Sequence, residues 1–398
     1  MSELLFLAHR IPYPPDRGDK IRAFHLLKHL ARNHRIHLIA FADDPRDMAH
    51  RDALAEWTAT CTILPRTKPK WRAGLEALAT GKPISLTAFA DDAMTQAVGK
   101  VLGKPALDSI FVFSGQMAQY LPRDSHCRIV MDFCDMDSAK FAAYARAGSG
   151  PMRWLMAREE RLLQAFESDV AARVDASLFV SAAEAALFAQ ATGHDALTVV
   201  ENGIDTDRFD PDAAFEPVDL GPQAIVFTGQ MDYPPNVEAV SWFADTVWPT
   251  VLAQNPAARF AIVGRAPVDA VSRLAERPGI TVTGEVADVR GWLAAASVAV
   301  APLRVARGVQ NKVLEAMAMA RPVLASAQAA EGIDHDGTIR VADDAAGFAA
   351  AIEAIFADPT AGAALGRSAR QRVRQRYGWE ARLAPLDAIL DPARPIAA

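Results

Sequence analysis

Short apolar segments, each followed by a loop and then by a helical pattern, recur along the whole chain. Leu4–Ala8 leads into a Pro-rich loop, then into a segment from about Lys20 to Asn33 with apolar residues at helical spacing, and then into Ile36–Phe41. This order indicates a βαβ unit and therefore a parallel sheet. Further strands are predicted in the first half at Cys61–Leu64, Ser109–Phe113, Ile129–Phe133, Ser177–Val180 and Leu197–Val200.

A domain boundary is predicted after Val200, where a loop rich in proline and glycine begins. A second series of strands follows it, at Ala224–Phe227, Arg259–Val263, Ile280–Thr283, Val298–Ala301, Pro322–Ala325 and Ile339–Val341. A chain of 398 residues is long enough for two domains. We expect two α/β domains, residues 1–202 and residues 203–378, with a C-terminal helix over residues 379–391 that packs back on the first.

The stretch from Pro302 to Ala330 carries the strongest functional signal. It joins a strand to a predicted helix, Asn311 to Ala320, which Pro322 ends. In parallel sheets such a helix begins at the carboxyl edge, where ligands bind, and its free N–H groups suit phosphate.

Charged residues are concentrated at this helix start. The cations are Arg304, Arg307 and Lys312, and Glu315 follows one turn after Lys312 on the same face. One acid beneath several cations is what a sugar nucleotide with its diphosphate needs. Lys312 and Glu315 equally fit a surface pair three residues apart, worth about a few tenths of a kcal/mol.

Two other strands of the second half end in glycine. Phe227 leads into Thr228-Gly229-Gln230, and Val263 leads into Gly264-Arg265. A glycine lets the backbone come close to a ligand, although either one equally fits a tight turn. Because these ends share a sheet edge with the Pro302–Ala330 stretch, we assign them to ligand binding.

The first half offers a weaker candidate site. Gly18, Asp19 and Lys20 open the first helix, with Asp19 as its expected N-cap. Asp135 and Asp137 follow a strand directly, where carboxylates are costly unless they are solvated, cap a helix or serve a site. An ordinary capped turn explains both groups equally well.

The segment from Lys68 to Lys82 is basic, with Trp71, Leu75 and Leu78 between the charges. Such a segment is usually an amphipathic helix that covers a sheet. A surface that faces a membrane or an acceptor is the alternative.

Composition narrows the function classes. The net charge of −6 disfavours a general nucleic-acid binder. The three cysteines form no CxxC pair, which argues against a disulfide or zinc framework and fits a reducing compartment. Neither a signal peptide nor a long uncharged apolar stretch is evident. We expect a cytoplasmic protein, with a peripheral position at the inner face of a membrane left open.

Several motifs together resemble the GT-B glycosyltransferases of glycosyltransferase family 4. They are Glu201-Asn202-Gly203-Ile204-Asp205, Phe227-Thr228-Gly229, Ile262-Val263-Gly264, Leu314-Glu315-Ala316-Met317-Ala318 and Arg321-Pro322-Val323. Within that family, Arg10 to Lys20, Gly229 to Asn236 and Pro302 to Ile333 are similar to the sugar transferases associated with exosortase/PEP-CTERM systems of bacterial exopolysaccharide clusters.

The resemblance implies two Rossmann-like domains that face an interdomain cleft. It implies a retaining, metal-independent hexosyltransferase without a cofactor, which moves a sugar from a nucleotide-diphosphate donor to a glycan or polyprenyl-linked acceptor. Arg307, Lys312 and Glu315 would be catalytic. Donor binding would fall to Gly229, Gln230, Gly264, Arg265, Arg304, Gly308, Val309 and Asn311. The acceptor side would include Gly18, Asp19, Lys20, Asp135 and Asp137.

The chain departs from the family pattern at the charged positions. Glu315 matches the second of the family's two motif glutamates, which usually holds the nucleotide ribose, but the first falls on Arg307. The family's Arg and Lys after the first strand of this domain fall on Gln230 and Pro235. We infer that the cations for the pyrophosphate have moved to Arg304, Arg307, Lys312 and Arg265. A non-catalytic sugar-nucleotide-binding partner protein and a GT-B sugar-nucleotide epimerase remain as alternatives.

Overall fold

The computed structural model describes residues 2–15, 17–147, 149–306 and 309–391. The chain divides into two compact units. One contains the chain up to Asn202 together with the residues from Arg382 onward, and the other is Gly203–Ala381.

The described strands, in chain order, are β1 (Ser2–Ala8), β2 (His34–Ala42), β3 (Thr60–Pro65), β4 (Leu107–Phe113), β5 (Arg128–Cys134), β6 (Ala176–Phe179), β7 (Leu197–Val199), β8 (Ala224–Thr228), β9 (Arg259–Val263), β10 (Ile280–Val282), β11 (Val298–Ala301), β12 (Val323–Ala325) and β13 (Arg340–Val341).

The described α-helices, in chain order, are α1 (Gly18–Leu30), α2 (Lys70–Thr80), α3 (Ile84–Thr87), α4 (Asp92–Leu102), α5 (Asp137–Ala147), α6 (Gly150–Ala171), α7 (Ala182–Thr192), α8 (Pro234–Trp242), α9 (Trp248–Gln254), α10 (Asp269–Ser272), α11 (Arg290–Ala295), α12 (Asn311–Ala318), α13 (Ala327–Ala330), α14 (Ala345–Ala357), α15 (Pro359–Arg376), α16 (Trp379–Leu383) and α17 (Pro385–Leu390).

Each unit is built on its own parallel sheet. The first sheet has the order β3-β2-β1-β4-β5-β6-β7, and the second has the order β10-β9-β8-β11-β12-β13. Successive strands extend to one side and then to the other, so the order reverses between β1 and β4 and between β8 and β11. Ligands of open α/β sheets bind beyond the carboxyl ends of the strands at such a reversal. The expected α/β class with two parallel sheets is confirmed.

Each sheet carries its own apolar core, because its central strands are almost continuous hydrophobic runs. Leu4–Ala8 of β1 and Ile225–Phe227 of β8 have at most 1% exposure. Phe133, Phe179 and Phe188 pack together in the first unit, and Phe243, Phe260 and Phe348 in the second.

Several predicted helices differ in detail from the structure. The helical segment between β8 and β9 is interrupted by a π-helical turn, Phe243–Val247, so that α8 and α9 are separate. The C-terminal helix expected over residues 379–391 is two short helices, α16 and α17, with residues 379–381 in the second unit. Arg17, not Asp19, is the N-cap residue of α1. Asp19 lies inside the first turn because α1 begins earlier than its apolar spacing indicated.

Candidate functional site

A cavity of about 520 Å³ opens in the second unit at the reversal between β8 and β11. The ends of β8 and β9 and the start of α12 form its walls. Six of the residues predicted to bind the donor line it, namely Gly229, Gln230, Gly264, Arg265, Val309 and Asn311, together with the predicted catalytic residues Lys312 and Glu315. The structure therefore brings together strand ends and a helix start that lie far apart in the sequence.

Lys312 is the central cation of this cavity. Its ammonium donates a hydrogen bond to Asn236 Oδ1 and lies 4.3 Å from the centre of the Phe227 ring. Burial lowers the pKa of Lys312 to about 8, although the nearby Glu315 opposes the shift. A cation held in a desolvated cavity with a neutral amide and a ring as neighbours gains most from an anionic ligand.

Glu315 lies one helical turn beyond Lys312. Burial raises the pKa of Glu315 to about 7, against the attraction of Arg208 and Lys312. Its carboxyl group therefore changes protonation close to neutral pH. A partly protonated carboxyl group can both accept and donate hydrogen bonds, which suits sugar hydroxyls.

Asn236 is a site residue that the sequence reasoning missed. Its side chain is 6% exposed, donates to the Gln230 carbonyl at 2.8 Å and accepts from Lys312. It thereby ties the loop after β8 to the start of α12. The signal was present in the sequence, because Asn236 directly follows Pro234-Pro235 and so lies in the first turn of the helix that follows β8.

The two positions that follow β8 and β9 need glycine because a side chain there would collide with other protein atoms. A Cβ on Gly264 would lie 1.7 Å from the Gly229 carbonyl oxygen. A Cβ on Gly229 would lie 2.8 Å from Asn236 Nδ2 and 3.2 Å from Lys312 Nζ. Gly264 thus permits the two strand ends to pack, and Gly229 leaves room for the side chains that form the cavity.

The predicted cations do not all reach this cavity. Arg304 is 63% exposed, lies 3.6 Å from Glu238 and lines a separate depression with Trp242 and Ser326. Arg265 lines the cavity at its exposed rim, where it donates to Gln230 Oε1 at 3.0 Å. Arg307 and Gly308 lie outside the described residues, so their assigned roles stay predictions.

A second cavity, of about 320 Å³, lies in the first unit at the reversal between β1 and β4. Gly18, Asp19, Asp135 and Asp137 line it. Lys20 does not belong with them. It is 6% exposed and forms an ion pair with Asp47 at 3.0 Å, so it has a structural partner.

The carboxylates of this second cavity are neutralised by neighbouring groups. Lys140 lies 2.9 Å from Asp135 and 3.0 Å from Asp137. Burial would raise the pKa of Asp19, but the hydrogen bond from His9 and the charges of Arg10 and Arg17 outweigh it and hold that pKa well below its usual range. The three carboxylates of the cavity therefore each have a cationic or hydrogen-bonding neighbour.

His9 was also missed, although it directly follows β1. Its Nε2 lies 3.2 Å from Asp19 Oδ2, and its ring stacks on Phe113 with 5.6 Å between ring centres. Its Nδ1 is buried and has no hydrogen-bond partner among the described residues. Because Ala8 pairs with Phe113, His9 lies at the carboxyl edge of the sheet beside the end of β4.

The described part of the chain contains no group of three His, Cys, Asp or Glu side chains that could hold a metal ion. No single described helix has the length and apolar composition to cross a bilayer, and α14 and α15 reach that length only as a pair bent by 107°.

The cavity of the second unit lies in a part of the chain that matches a known protein family. Residues 222–358 match the family model described as Glycosyl transferases group 1. No curated protein matches the chain.

Solved structures match over nearly the whole chain. HepE from Anabaena in complex with UDP has 16% identity and a TM-score of 0.59, covering 98% of this chain and 99% of that one. Sucrose-phosphate synthase from Thermosynechococcus elongatus has 18% identity and a TM-score of 0.58, covering 97% and 98%. A TarM variant from S. aureus in complex with UDP has 10% identity and a TM-score of 0.59, covering 98% and 100%. These likenesses confirm the expected GT-B fold.

Proposed function

We propose that the chain is a glycosyltransferase that takes its sugar from a nucleotide-diphosphate donor bound in the cavity of the second unit. One observation carries the proposal: every residue lining that cavity lies inside the segment matched by the glycosyltransferase family model. HepE, which shares the fold, was solved with UDP and with UDP-glucose. That finding is a property of HepE, and it makes a UDP-sugar the first donor to test here.

Lys312 is the residue proposed to bind the donor diphosphate. It is the described cation that projects from the start of α12 into the cavity, and the helix N-terminus adds a partial positive charge. The diphosphate gains negative charge as the bond to the sugar breaks, so a fixed cation stabilises the transition state more than the ground state. Arg265 and Arg307 are proposed to assist, the latter from its sequence position alone.

Glu315 is proposed to hold the nucleotide ribose. Its elevated pKa indicates a carboxyl group whose desolvation outweighs the attraction of Arg208 and Lys312, and two ribose hydroxyls would supply hydrogen bonds in place of water. Donor binding would then lower the pKa of Glu315, because hydroxyl donors favour the carboxylate form.

The proposed chemistry is transfer with retention. The acceptor hydroxyl oxygen would bond to the anomeric carbon on the face from which the diphosphate leaves, and the hydroxyl proton would pass to the leaving diphosphate. No enzyme nucleophile, metal or cofactor is required in this scheme. We further propose a hexosyl donor and a glycan or polyprenyl-linked acceptor of exopolysaccharide synthesis, on the cytoplasmic side of the membrane. Asp19, Asp135 and Asp137 remain the acceptor-side candidates.

The first experiment is a thermal-shift screen of the intact chain with UDP-, GDP- and dTDP-sugars. One nucleotide class is expected to stabilise the chain, and turnover with that donor should persist in EDTA. Stabilisation without transfer would favour the sugar-nucleotide-binding partner protein, and formation of an epimeric sugar nucleotide would favour the epimerase. If no sugar nucleotide stabilises the chain, the proposal fails.

The second experiment separates the cations. Lys312→Ala is expected to weaken donor binding at least about thirtyfold, because removing one partner of a buried charge contact costs about 2 kcal/mol or more. Arg304→Ala is the matched control, since Arg304 is a basic residue of the loop before α12 whose side chain lines a separate depression. Arg307→Ala tests the residue that stands in place of the family's first glutamate. Unchanged donor affinity and rate in both Lys312→Ala and Arg307→Ala would refute the relocation of the pyrophosphate cations.

A further inference from the structure

Helix α2 of the first unit exposes its large apolar side chains and buries its small ones. Trp71, Leu75 and Leu78 are 69%, 61% and 52% exposed, while Ala73 and Ala77 are fully buried. The exposed residues follow each other at four and then three positions, so they share one face of the helix. An amphipathic helix that only covered a sheet would have the opposite orientation.

The adjoining helix α6 extends this apolar surface. Met152 and Trp154 near its start are 58% and 61% exposed. One turn beyond Trp154, Arg158 donates to the carbonyl oxygens of Ala77 at 2.8 Å and Lys82 at 3.2 Å, so α6 lies against the end of α2. Because this contact links the two helices, we group their exposed apolar side chains under one name, the tryptophan face (Trp71, Leu75, Leu78, Met152 and Trp154). Soluble domains rarely expose so many large apolar groups together without a partner.

The rim of the tryptophan face is basic in a chain that is acidic overall. Residues 66–82 contain five cations, Arg66, Lys68, Lys70, Arg72 and Lys82, and a single acid, Glu76. That acid is already paired with Lys68 at 2.9 Å. Lys70, Arg72, Lys82 and, on α6, Arg153 are exposed. The charge at this face thus opposes the net charge of −6.

We propose that the tryptophan face docks on the surface of an anionic phospholipid bilayer. Tryptophan prefers the boundary between headgroups and acyl chains, leucine and methionine insert just below it, and lysine and arginine reach the lipid phosphates with their long side chains. Each cation close to an anionic surface adds to the attraction. α2 lies in the bilayer surface and does not cross it.

Charge distinguishes a bilayer from a second copy of the chain. A twofold interface would place the same patch on both subunits, so the basic rims would face each other. A bilayer rich in anionic lipid offers the opposite charge together with an apolar layer. The docking does not rest on the proposed sugar transfer, because it requires neither donor nor acceptor.

Flotation of the full chain with vesicles tests the proposal. The chain should float with vesicles of phosphatidylcholine mixed with phosphatidylglycerol, less with phosphatidylcholine alone, and less again at high salt. Trp71→Ser combined with Leu75→Ser should lower the partition coefficient at least about tenfold, since both side chains lose their insertion. Lys70→Glu combined with Arg72→Glu should lower it on the anionic vesicles only.

Leu187→Ser is the matched control, because Leu187 is an exposed leucine on another helix of the same unit, 39% exposed. It should float like the unchanged chain. Sugar-nucleotide binding by every variant, measured in parallel, reports a folded protein and tests the transferase proposal separately. Failure of the unchanged chain to float, or equal flotation of the Trp71/Leu75 variant, refutes the docking surface. So does a dimer in light scattering that the same variant dissociates without any vesicle binding.

Discussion

Lys312 and Glu315 place opposite charges in one desolvated cavity, and each has a pKa displaced toward its neutral form. Burial raises the pKa of Glu315 from 4.5 to about 7, so the folded chain binds more protons than the unfolded chain between those values and loses stability as the pH rises through them. Burial lowers the pKa of Lys312 from 10.5 to about 8, so stability recovers as the pH rises from 8 toward 10.5. The pair thus costs most stability between about pH 7 and pH 8.

Glu315→Gln is expected to raise the free energy of unfolding of the ligand-free chain by roughly 1–3 kcal/mol at about pH 8, because the amide removes the cost of ionising the buried carboxyl group. Near pH 4.5, where this carboxyl group is protonated in the folded chain, the free energy of unfolding should change little. The same change should weaken donor binding. Urea unfolding at the two pH values measures the first effect. Glu285→Gln, at an exposed acid lining the same cavity, is the control and should show no such pH dependence. Equal destabilisation by Glu315→Gln at both pH values would contradict the assignment of Glu315 as a desolvated acid.

Helix spacing was enough to predict that Lys312 and Glu315 share a face, because three residues bring two side chains together on any helix. The same reasoning could not place Arg304. It lies in a loop, where the sequence shows a charge near the edge of the sheet but not the direction of the side chain. Lys20 lies in α1, but its partner Asp47 comes from a distant 3₁₀ turn, and helical spacing does not indicate such a contact. His9 was missed because a residue next to a strand end has no periodicity to mark it.

At the scale of elements, α12 ends in a Schellman motif built on alanine. The Ala320 N–H donates to Met317 O and the Arg321 N–H donates to Ala316 O, both at 3.0 Å. Ala320 has a φ of 52°, a left-handed conformation that glycine adopts at much lower cost. The sequence indicated this conflict, since an alanine stands where a helix of this kind normally ends on glycine.

Ala320→Gly is therefore expected to stabilise the chain by roughly 0.5–1 kcal/mol, the relief of left-handed strain less the added freedom of the unfolded chain. Thermal or urea unfolding measures it. Ala350→Gly, at an exposed interior position of α14, makes the same chemical change where φ is helical and should destabilise by about 1 kcal/mol. If Ala320→Gly and Ala350→Gly lower the free energy of unfolding by similar amounts, Ala320 is not strained.

Gly366 fixes the distance between α15 and the end of α12. A Cβ at this position would lie 2.1 Å from the Ala320 carbonyl oxygen, whereas a Cβ on Gly362, one turn earlier, would make ordinary contacts of 3.4 Å and longer. Gly366→Ala should lower the free energy of unfolding by roughly 1–3 kcal/mol, because the added methyl group forces the two helices apart. Gly362→Ala should leave the free energy of unfolding unchanged or raise it slightly. Donor affinity should fall with Gly366→Ala, because α12 carries Lys312 and Glu315. A neutral Gly366→Ala would disprove this packing constraint.

The elements themselves were largely predictable, because the central strands β1, β4, β8 and β11 contain buried apolar runs. What escaped prediction depends on tertiary contacts. The π-helical turn at Phe243–Val247 keeps Phe243 and Val247 in the core, a constraint that helical periodicity does not contain. The orientation of α2 is a second case. Its spacing indicates an apolar face but not whether that face is buried.

At the scale of the whole molecule, the two units have separate sheets, separate cores and separate cavities. A buried ion pair, Arg22 with Asp132 at 2.9 Å, joins α1 to β5 within the first unit. In the second unit, α12 and α15 are joined by the close packing at Gly366. Domains with their own cores generally unfold as units, so ligands and mutations in one are expected to act on its own transition.

We expect calorimetry to resolve two unfolding transitions. The donor should raise the midpoint temperature of only the transition that belongs to the second unit. At a donor concentration one hundred times its dissociation constant, it should add about 2.7 kcal/mol to that unit's free energy of unfolding. Two variants assign the transitions. Gly366→Ala should lower the transition of the second unit. Asp132→Asn should lower that of the first by roughly 3–5 kcal/mol, because it leaves the buried Arg22 without its counter-charge. If the donor instead raises both transitions equally, or if a single transition responds to both variants, the units do not unfold separately. The stability of the donor cavity would then depend on the whole chain.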